Sequence, residues 1–106
     1  METQYGIVLV TIGSQEEGET IARALLTEKL AACINIFPVQ SLYTWQGEIN
    51  RDREYQLIIK TDLACFDELK AKITTLHSYE VPEIIALPII NGASDYLNWL
   101  GSNLKY

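Results

Sequence analysis

The sequence predicts an α+β sandwich of order βαββαβ closed by a terminal helix, and three observations carry that expectation. Runs rich in β-branched residues alternate with segments whose apolar residues recur at helical spacing. The second and third strand-like runs are separated only by Trp45-Gln46-Gly47-Glu48, so they pair as a hairpin. The chain has 106 residues and is 48% hydrophobic. Residues 1–106 are therefore one domain, which at this size buries about two-thirds of its unfolded surface without staples.

Tyr5 to Ile12 (YGIVLVTI) is a buried strand that Gly13 ends. Ser14 opens a capping box: its hydroxyl accepts from the Glu17 amide while the Glu17 carboxylate reaches back. The helix that follows, roughly Glu16 to Leu30, turns Ile21, Ala24 and Leu25 inward. A second strand runs from Ala32 to Phe37, should bulge or bend at Pro38, and resumes from Ser41 to Thr44. Gly47 supplies the positive φ of the turn. The third strand, about Glu48 to Thr61, alternates Tyr55, Leu57 and Ile59 with Glu54, Gln56 and Lys60; Ile58 breaks the alternation. Asp62 caps a helix whose stripe is Phe66, Leu69, Ile73 and Leu76. His77 to Pro82 is an irregular link, since Pro82 biases Val81 away from helix. Glu83 to Ile90 is a fourth strand, with Pro88 marking an edge at its far end. Asn91-Gly92 turns the chain, Ser94 caps, and Tyr96, Leu97, Trp99, Leu100 and Leu104 form the closing helix. Two crossovers around one antiparallel hairpin give the ferredoxin-like sandwich, with two helices on one face of a four-stranded sheet. That architecture hosts unrelated activities and decides no function by itself.

The hairpin is too long for its own domain. Its strands each run about a dozen residues, roughly twice the usual length. The stretch from Leu42 to Ile49 should project past the core, carrying Leu42, Tyr43, Trp45 and Ile49. An isolated ribbon is marginal in water and its aromatic edges invite pairing. Identical copies in a closed ring satisfy it most economically. The alternative is a hairpin folded back on the terminal helix, with Trp45 covered by Trp99.

Eight basic and 14 acidic residues give a net charge of −6, and the basic ones are scattered singly. Such a chain repels phosphate backbones and anionic membranes, so neither nucleic acid nor membrane is an expected partner. Two cysteines, Cys33 and Cys65, are too few for a disulfide framework or a four-cysteine zinc site. Met1 to Val10 carries Glu2 and no basic start, unlike a secretory leader. No apolar run reaches the ~18 residues of a membrane span. The expected location is the cytoplasm. Enzyme signatures are missing: no nucleophile elbow, no phosphate-cradling glycine loop, no HExxH. Gly13-Ser14 before a helix offers amides to an anion, but Glu16, Glu17 and Glu19 oppose phosphate there.

Several strings then stand in a recognisable order. They are Ala31-Ala32-Cys33-Ile34-Asn35-Ile36 with Pro38, Ser41-x-Tyr43-x-Trp45-x-Gly47, Lys60-Thr61, His77-x-Tyr79-x-x-Pro82-Glu83 and Asp95-Tyr96-Leu97-x-Trp99-Leu100. Together they resemble the CutA divalent-cation-tolerance family over nearly the whole chain. The resemblance implies a ferredoxin-like subunit in a compact homotrimer built through the long hairpin and last strand. It also implies a likeness to the PII signalling trimers, which bind small effectors in clefts between subunits. The family's proposed copper ligands are a cysteine on the first strand and two adjacent histidines before the tyrosine. Here those positions hold Val10, Leu76 and His77, so only His77 can bind. Ser78 stands where proline is usual.

His77 is the only histidine. With Cys33, Cys65 or a neighbouring carboxylate it could hold copper or another divalent cation weakly; as a residue at a helix C-terminus it needs no ligand to be explained. Cys33, mid-strand among alanine and isoleucine, reads as a small buried hydrophobe that recurs in the family motif. Cys65, in a first helical turn, reads as a moderately reactive thiol or as structure. Tyr43, Trp45, Lys60, Tyr79 and Glu83 offer aromatic faces, one cation and one carboxylate. That is a small-ligand pocket if they converge between subunits, and interface packing if they do not. The expected protein is non-enzymatic and trimeric, acting in divalent-metal (copper) tolerance or response. Two other readings stand beside it, a sensor of a small effector and an adaptor that recruits a protein partner.

Overall fold

The computed structural model of the chain describes residues 4–106. Glu2, on which the reading of the N-terminus partly rests, lies outside the described residues. The elements are β1 (Tyr5–Ile12), α1 (Gln15–Thr27), β2 (Cys33–Trp45), β3 (Glu48–Asp62), α2 (Phe66–Leu76), β4 (Ile85–Pro88) and α3 (Ser94–Ser102); a short 3-10 turn, Leu63–Cys65, leads into α2. The order is the expected one. The strands form one sheet in the order β2-β3-β1-β4, with every neighbour antiparallel. No helix among the described residues is long and apolar enough to cross a membrane.

Strand periodicity decides which side chains meet the helices. Val8, Val10 and Ile12 of β1 and Leu57 and Ile59 of β3 are fully buried against Ile21 and Leu25 of α1 and Leu69 and Ile73 of α2. Phe66 and Leu76 complete the α2 stripe half-buried. On α1 the inward row is Gly18, Ile21, Ala22 and Leu25, and Ala24 is only half-buried. Gly18 permits that close packing, because a Cβ there would sit 2.4 Å from Ile12 Cδ1.

Several boundaries differ from expectation for identifiable reasons. Helix α1 stops at Thr27, short of Leu30, in a Schellman turn. Lys29 takes a left-handed φ of 57°, its amide donates to Leu26, and the Leu30 amide donates to Leu25. Strand β2 starts at Cys33 and does not bulge at Pro38; its register with β3 is unbroken from Cys33↔Lys60 to Trp45↔Glu48. As an outer strand, β2 has a ladder on one side only, which is where proline is tolerated. The hairpin turn has positive φ at both Gln46 (51°) and Gly47 (81°), the combination that matches the strand twist. Asp62 caps the 3-10 turn, accepting from the Ala64 amide at 2.9 Å. Strand β4 is only four residues long, and it pairs with β1 alone as the sheet's other edge. Ser94 is the first residue of α3 and not its cap; Ala93 precedes it and no side chain caps the helix.

Pairing of β1 with β3 ends at Ile12↔Tyr55. Residues 48–54 of β3 therefore pair with β2 alone, and this ribbon stretches the chain to 44 × 25 × 22 Å. Leu42 and Ile49 on it are 72% and 81% exposed. The fold-back alternative fails. Trp45 and Trp99 are 44% and 45% exposed, and Trp99 packs on Tyr96 with ring centroids 5.6 Å apart. Helix α3 lies at the opposite end of the sheet, where Lys105 donates its amide to Lys29 and Gly101 abuts the Tyr5 hydroxyl. The sheet face away from α1 and α2 is apolar too: Phe37, Ile85 and Leu87 stand exposed on it beside half-buried Ile7, Leu9 and Ile58.

Candidate functional site

A cleft of about 790 Å³ opens where the ribbon leaves the sheet. The end of β1 is its floor at Thr11, the ribbon forms one wall, and the link between α2 and β4 forms the other. That link is irregular because Pro82 and the residues before it cannot continue α2, and it is held in place by polar bonds.

His77 anchors the link. Its Nε2–H donates to the Thr11 carbonyl at 2.7 Å, while its Nδ1 accepts from the Tyr79 amide at 3.0 Å. Glu17 Oε2 also lies 3.5 Å from His77 Nδ1, so the ring sits between the end of β1 and the first turn of α1. The side chain is fully buried, and the Tyr79 ring packs on the imidazole with centroids 4.8 Å apart. Glu17 supplies a second anchor. Its carboxylate accepts from the Ser78 amide at 3.2 Å and the Ser78 hydroxyl at 2.8 Å. Only half of the expected capping box therefore forms. Ser14 Oγ does accept from the Glu17 amide at 3.1 Å, but the carboxylate holds the link instead of reaching back.

Two phenol–carboxylate pairs shape the cleft wall. The Tyr79 hydroxyl donates to Glu54 Oε2 at 2.8 Å, and the Tyr43 hydroxyl donates to Asp52. Burial first, and the bond to Glu54 second, push the Tyr79 phenol well above its usual pKa. For Tyr43 the bond to Asp52 is the main cause of an upward shift. Glu54 is 7% exposed, an unusual position for a carboxylate. Glu80 and Glu83 add two more carboxylates, and the lining contains no lysine, arginine or histidine.

Of the residues singled out from sequence, Tyr43, Trp45, Tyr79 and Glu83 line this cleft. Cys33 and Lys60 do not. They face each other across the β2–β3 ladder, with Lys60 Nζ 3.9 Å from Cys33 Sγ and hydrogen-bonded to Asn35. Along β2, Cys33 lies roughly 33 Å from Tyr43 at about 3.3 Å per residue. The expected cation is thus absent from the cleft within one chain, and its place is taken by Asp52 and Glu54, which sequence reasoning did not single out. A signal for them existed. Ile58 marks the second sheet face as apolar, so a carboxylate in the same alternating row needs a partner.

The donors do not fit a metal centre within one chain. Both His77 nitrogens are engaged, Val10 and Leu76 belong to the core or pack against it, and Cys65 is fully buried. Burial pushes the Cys65 thiol pKa up, away from the thiolate that a metal requires. Among the described residues no three histidine, cysteine or carboxylate side chains converge as a ligand set.

Comparison with known proteins is consistent across the chain. Residues 6–103 match the family model of the CutA1 divalent ion tolerance protein. A divalent-cation tolerance protein CutA from Thermus thermophilus is 50% identical over 98 residues, covering 92% of this chain and 95% of its own. A chloroplastic CutA protein of Arabidopsis thaliana is 42% identical over 100 residues, covering 93% of this chain and 55% of its own. Among solved structures, CutA1 from Oryza sativa superposes with a TM-score of 0.93 at 42% identity, covering 96% of this chain and 94% of its own. Element order, sheet topology and these matches agree: the chain belongs to the CutA1 divalent ion tolerance family.

Proposed function

We propose that this chain acts in divalent-metal tolerance or response, as a homotrimer and without catalysing a reaction. The match to the family model over residues 6–103 carries this reading. The trimer is supported by the ribbon that overhangs the core and by the apolar second face of the sheet, both of which need cover that one chain does not supply. The engaged nitrogens of His77 oppose a copper site there, so copper or another divalent cation binds weakly at most through a single chain. Two free cysteines suit the reducing cytoplasm, the proposed location, which fractionation of cells tests directly.

Growth under copper or zinc, with and without the gene, tests the function. Greater sensitivity without it, restored by the wild-type copy, supports metal tolerance; equal sensitivity overturns it. Light scattering should return about three times the 12.0 kDa chain mass, and a monomer mass would remove the trimer. A second reading, the sensing of a small effector, is favoured by one observation: the cleft beside the ribbon, at about 790 Å³, has the size of a small-molecule site.

A further inference from the structure

We propose that Asn91-Gly92, in the connection between β4 and α3, is a site of spontaneous covalent modification. There the Gly92 amide nitrogen closes on the Asn91 side chain and converts it, through a succinimide, to aspartate and isoaspartate. This rests neither on metal tolerance nor on the cleft, and the pair lies on neither the ribbon nor the sheet.

Three conditions for the ring closure meet at this pair. The attacking nitrogen must be free of a backbone acceptor, and the Gly92 amide has none among the described residues; it donates to Asn91 Oδ1 at 2.9 Å. That oxygen is one bond from Cγ, so the nitrogen already lies within about 4 Å of the carbon it attacks. Crowding must be low: glycine sets no Cβ beside the nitrogen, and both residues are exposed to the water and base that the reaction uses. The backbone must be able to turn, and residues 89–93 belong to no helix or strand. The other four asparagines fail these conditions. Asn35 and Asn50 lie in β2 and β3 before Ile36 and Arg51, and Asn98 lies in α3 before Trp99. Asn103 precedes Leu104, whose amide donates to the Gly101 carbonyl.

The step balances with water alone. A solvent base removes the Gly92 amide proton, and the nitrogen's electron pair forms a bond to Asn91 Cγ. The Cγ–Nδ2 bond breaks and ammonia leaves, taking a proton back from solvent, which completes the succinimide. Water then opens the ring. Cleavage of the new Cγ–N bond leaves aspartate on the original backbone; cleavage of the original peptide bond leaves isoaspartate, with the chain rerouted through Cβ and Cγ. Either product adds one negative charge to a chain already at −6. The new carboxylate stands two residues before Ala93, at the start of a helix that no side chain caps, where negative charge is favourable. Isoaspartate also lengthens the backbone that tethers α3.

The test incubates the assembled full-length protein in warm, mildly alkaline buffer. Anion-exchange chromatography and peptide mass spectrometry follow it, with electron-transfer fragmentation to separate aspartate from isoaspartate. An acidic form should accumulate with both products mapped to position 91, faster at higher pH because the nitrogen must first lose its proton. Hydroxylamine should cleave the chain after position 91, at the succinimide. Asn91→Gln, on an exposed side chain, should abolish the acidic form over the same period. Gly92→Ala should slow it about tenfold or more by crowding the nitrogen. Its Cβ would lie 3.3 Å from Leu97, a contact that a small side-chain shift relieves, so the fold is kept. The native rate should be no less than about a tenth of the rate in the chain unfolded by urea. A slower native rate means that the fold locks the pair, and it overturns the proposal. Conversion of another asparagine ahead of Asn91, or equal rates in wild type and Gly92→Ala, overturns it as well.

Discussion

Replacing Tyr79 with phenylalanine removes one oxygen, keeps the ring packed on His77, and strips buried Glu54 of its only hydrogen bond from the described residues. A hydrogen bond to a charged group contributes about 1.5–3 kcal/mol net, and that is the expected loss at neutral pH. With a urea dependence of about 1–3 kcal/mol/M for a domain of this size, the midpoint should fall by roughly 1 M with an unchanged slope. The measurement needs one fixed protein concentration, because assembly adds its own stabilisation. Combining the change with Glu54→Gln should be strongly non-additive, since both alter the same bond. A pH series supplies an independent check. The Tyr79 phenol is raised above its ordinary value, so the native state keeps a proton that the unfolded chain releases near pH ~10. This contribution is whole below that pH and is lost as pH rises through the higher native pKa. Wild type should therefore lose stability above pH ~10 more steeply than the phenylalanine variant. An unchanged midpoint, or parallel alkaline limbs, would refute the role assigned to the Tyr79–Glu54 pair.

Ile59→Ala at the fully buried centre of β3 should cost about 2–5 kcal/mol, read by urea or thermal unfolding, and a loss below that range would mean the core closes around the gap. Lys29→Gly relieves a left-handed φ of 57° and should stabilise by about 0.5–1 kcal/mol; a destabilised variant would indicate that the lysine side chain matters more than its backbone. A thiol reagent should label half-buried Cys33 in the native protein and reach Cys65 only on unfolding, because Cys65 is fully buried and its thiol pKa is raised; fast double labelling would contradict this. His77→Ala should destabilise the link, detected as faster amide exchange at Ser78 and Tyr79, while leaving the heat of copper titration unchanged. Loss of a stoichiometric copper site in that variant would place a ligand at His77 after all.

Much of the fold was legible because its determinants are local. The β-branched run at Tyr5–Ile12, the stripe Phe66, Leu69, Ile73 and Leu76, and the Gly47 turn each declare themselves within one element. The length of the hairpin announced the overhang because it could be weighed against the helices available to cover it. Pro38 misled, since a proline's effect depends on whether its strand is central or at an edge, and sheet order is a tertiary property. The boundary of α1 was misplaced because Lys29 gives no sign of a left-handed conformation, which is usually glycine's. Glu17 read as half of a capping box because Ser14 stands three residues before it; its carboxylate chose Ser78, a partner 61 residues away.

The candidate site divides along the same line. By itself the sequence determined the acidic balance, the family motifs and the aromatic content of the ribbon, all of which are counted or read along the chain. It could nominate Tyr43, Trp45, Tyr79 and Glu83, which do meet in the cleft, but it grouped Lys60 and Cys33 with them equally. Only the tertiary structure separated the two sets, because a hairpin register sends residues of one strand to opposite ends of a ladder. Only the tertiary structure, too, buried Glu54 beneath Tyr79 and occupied both nitrogens of His77. Residue type states what a side chain can do; burial and the partners brought to it from distant parts of the chain decide what it does.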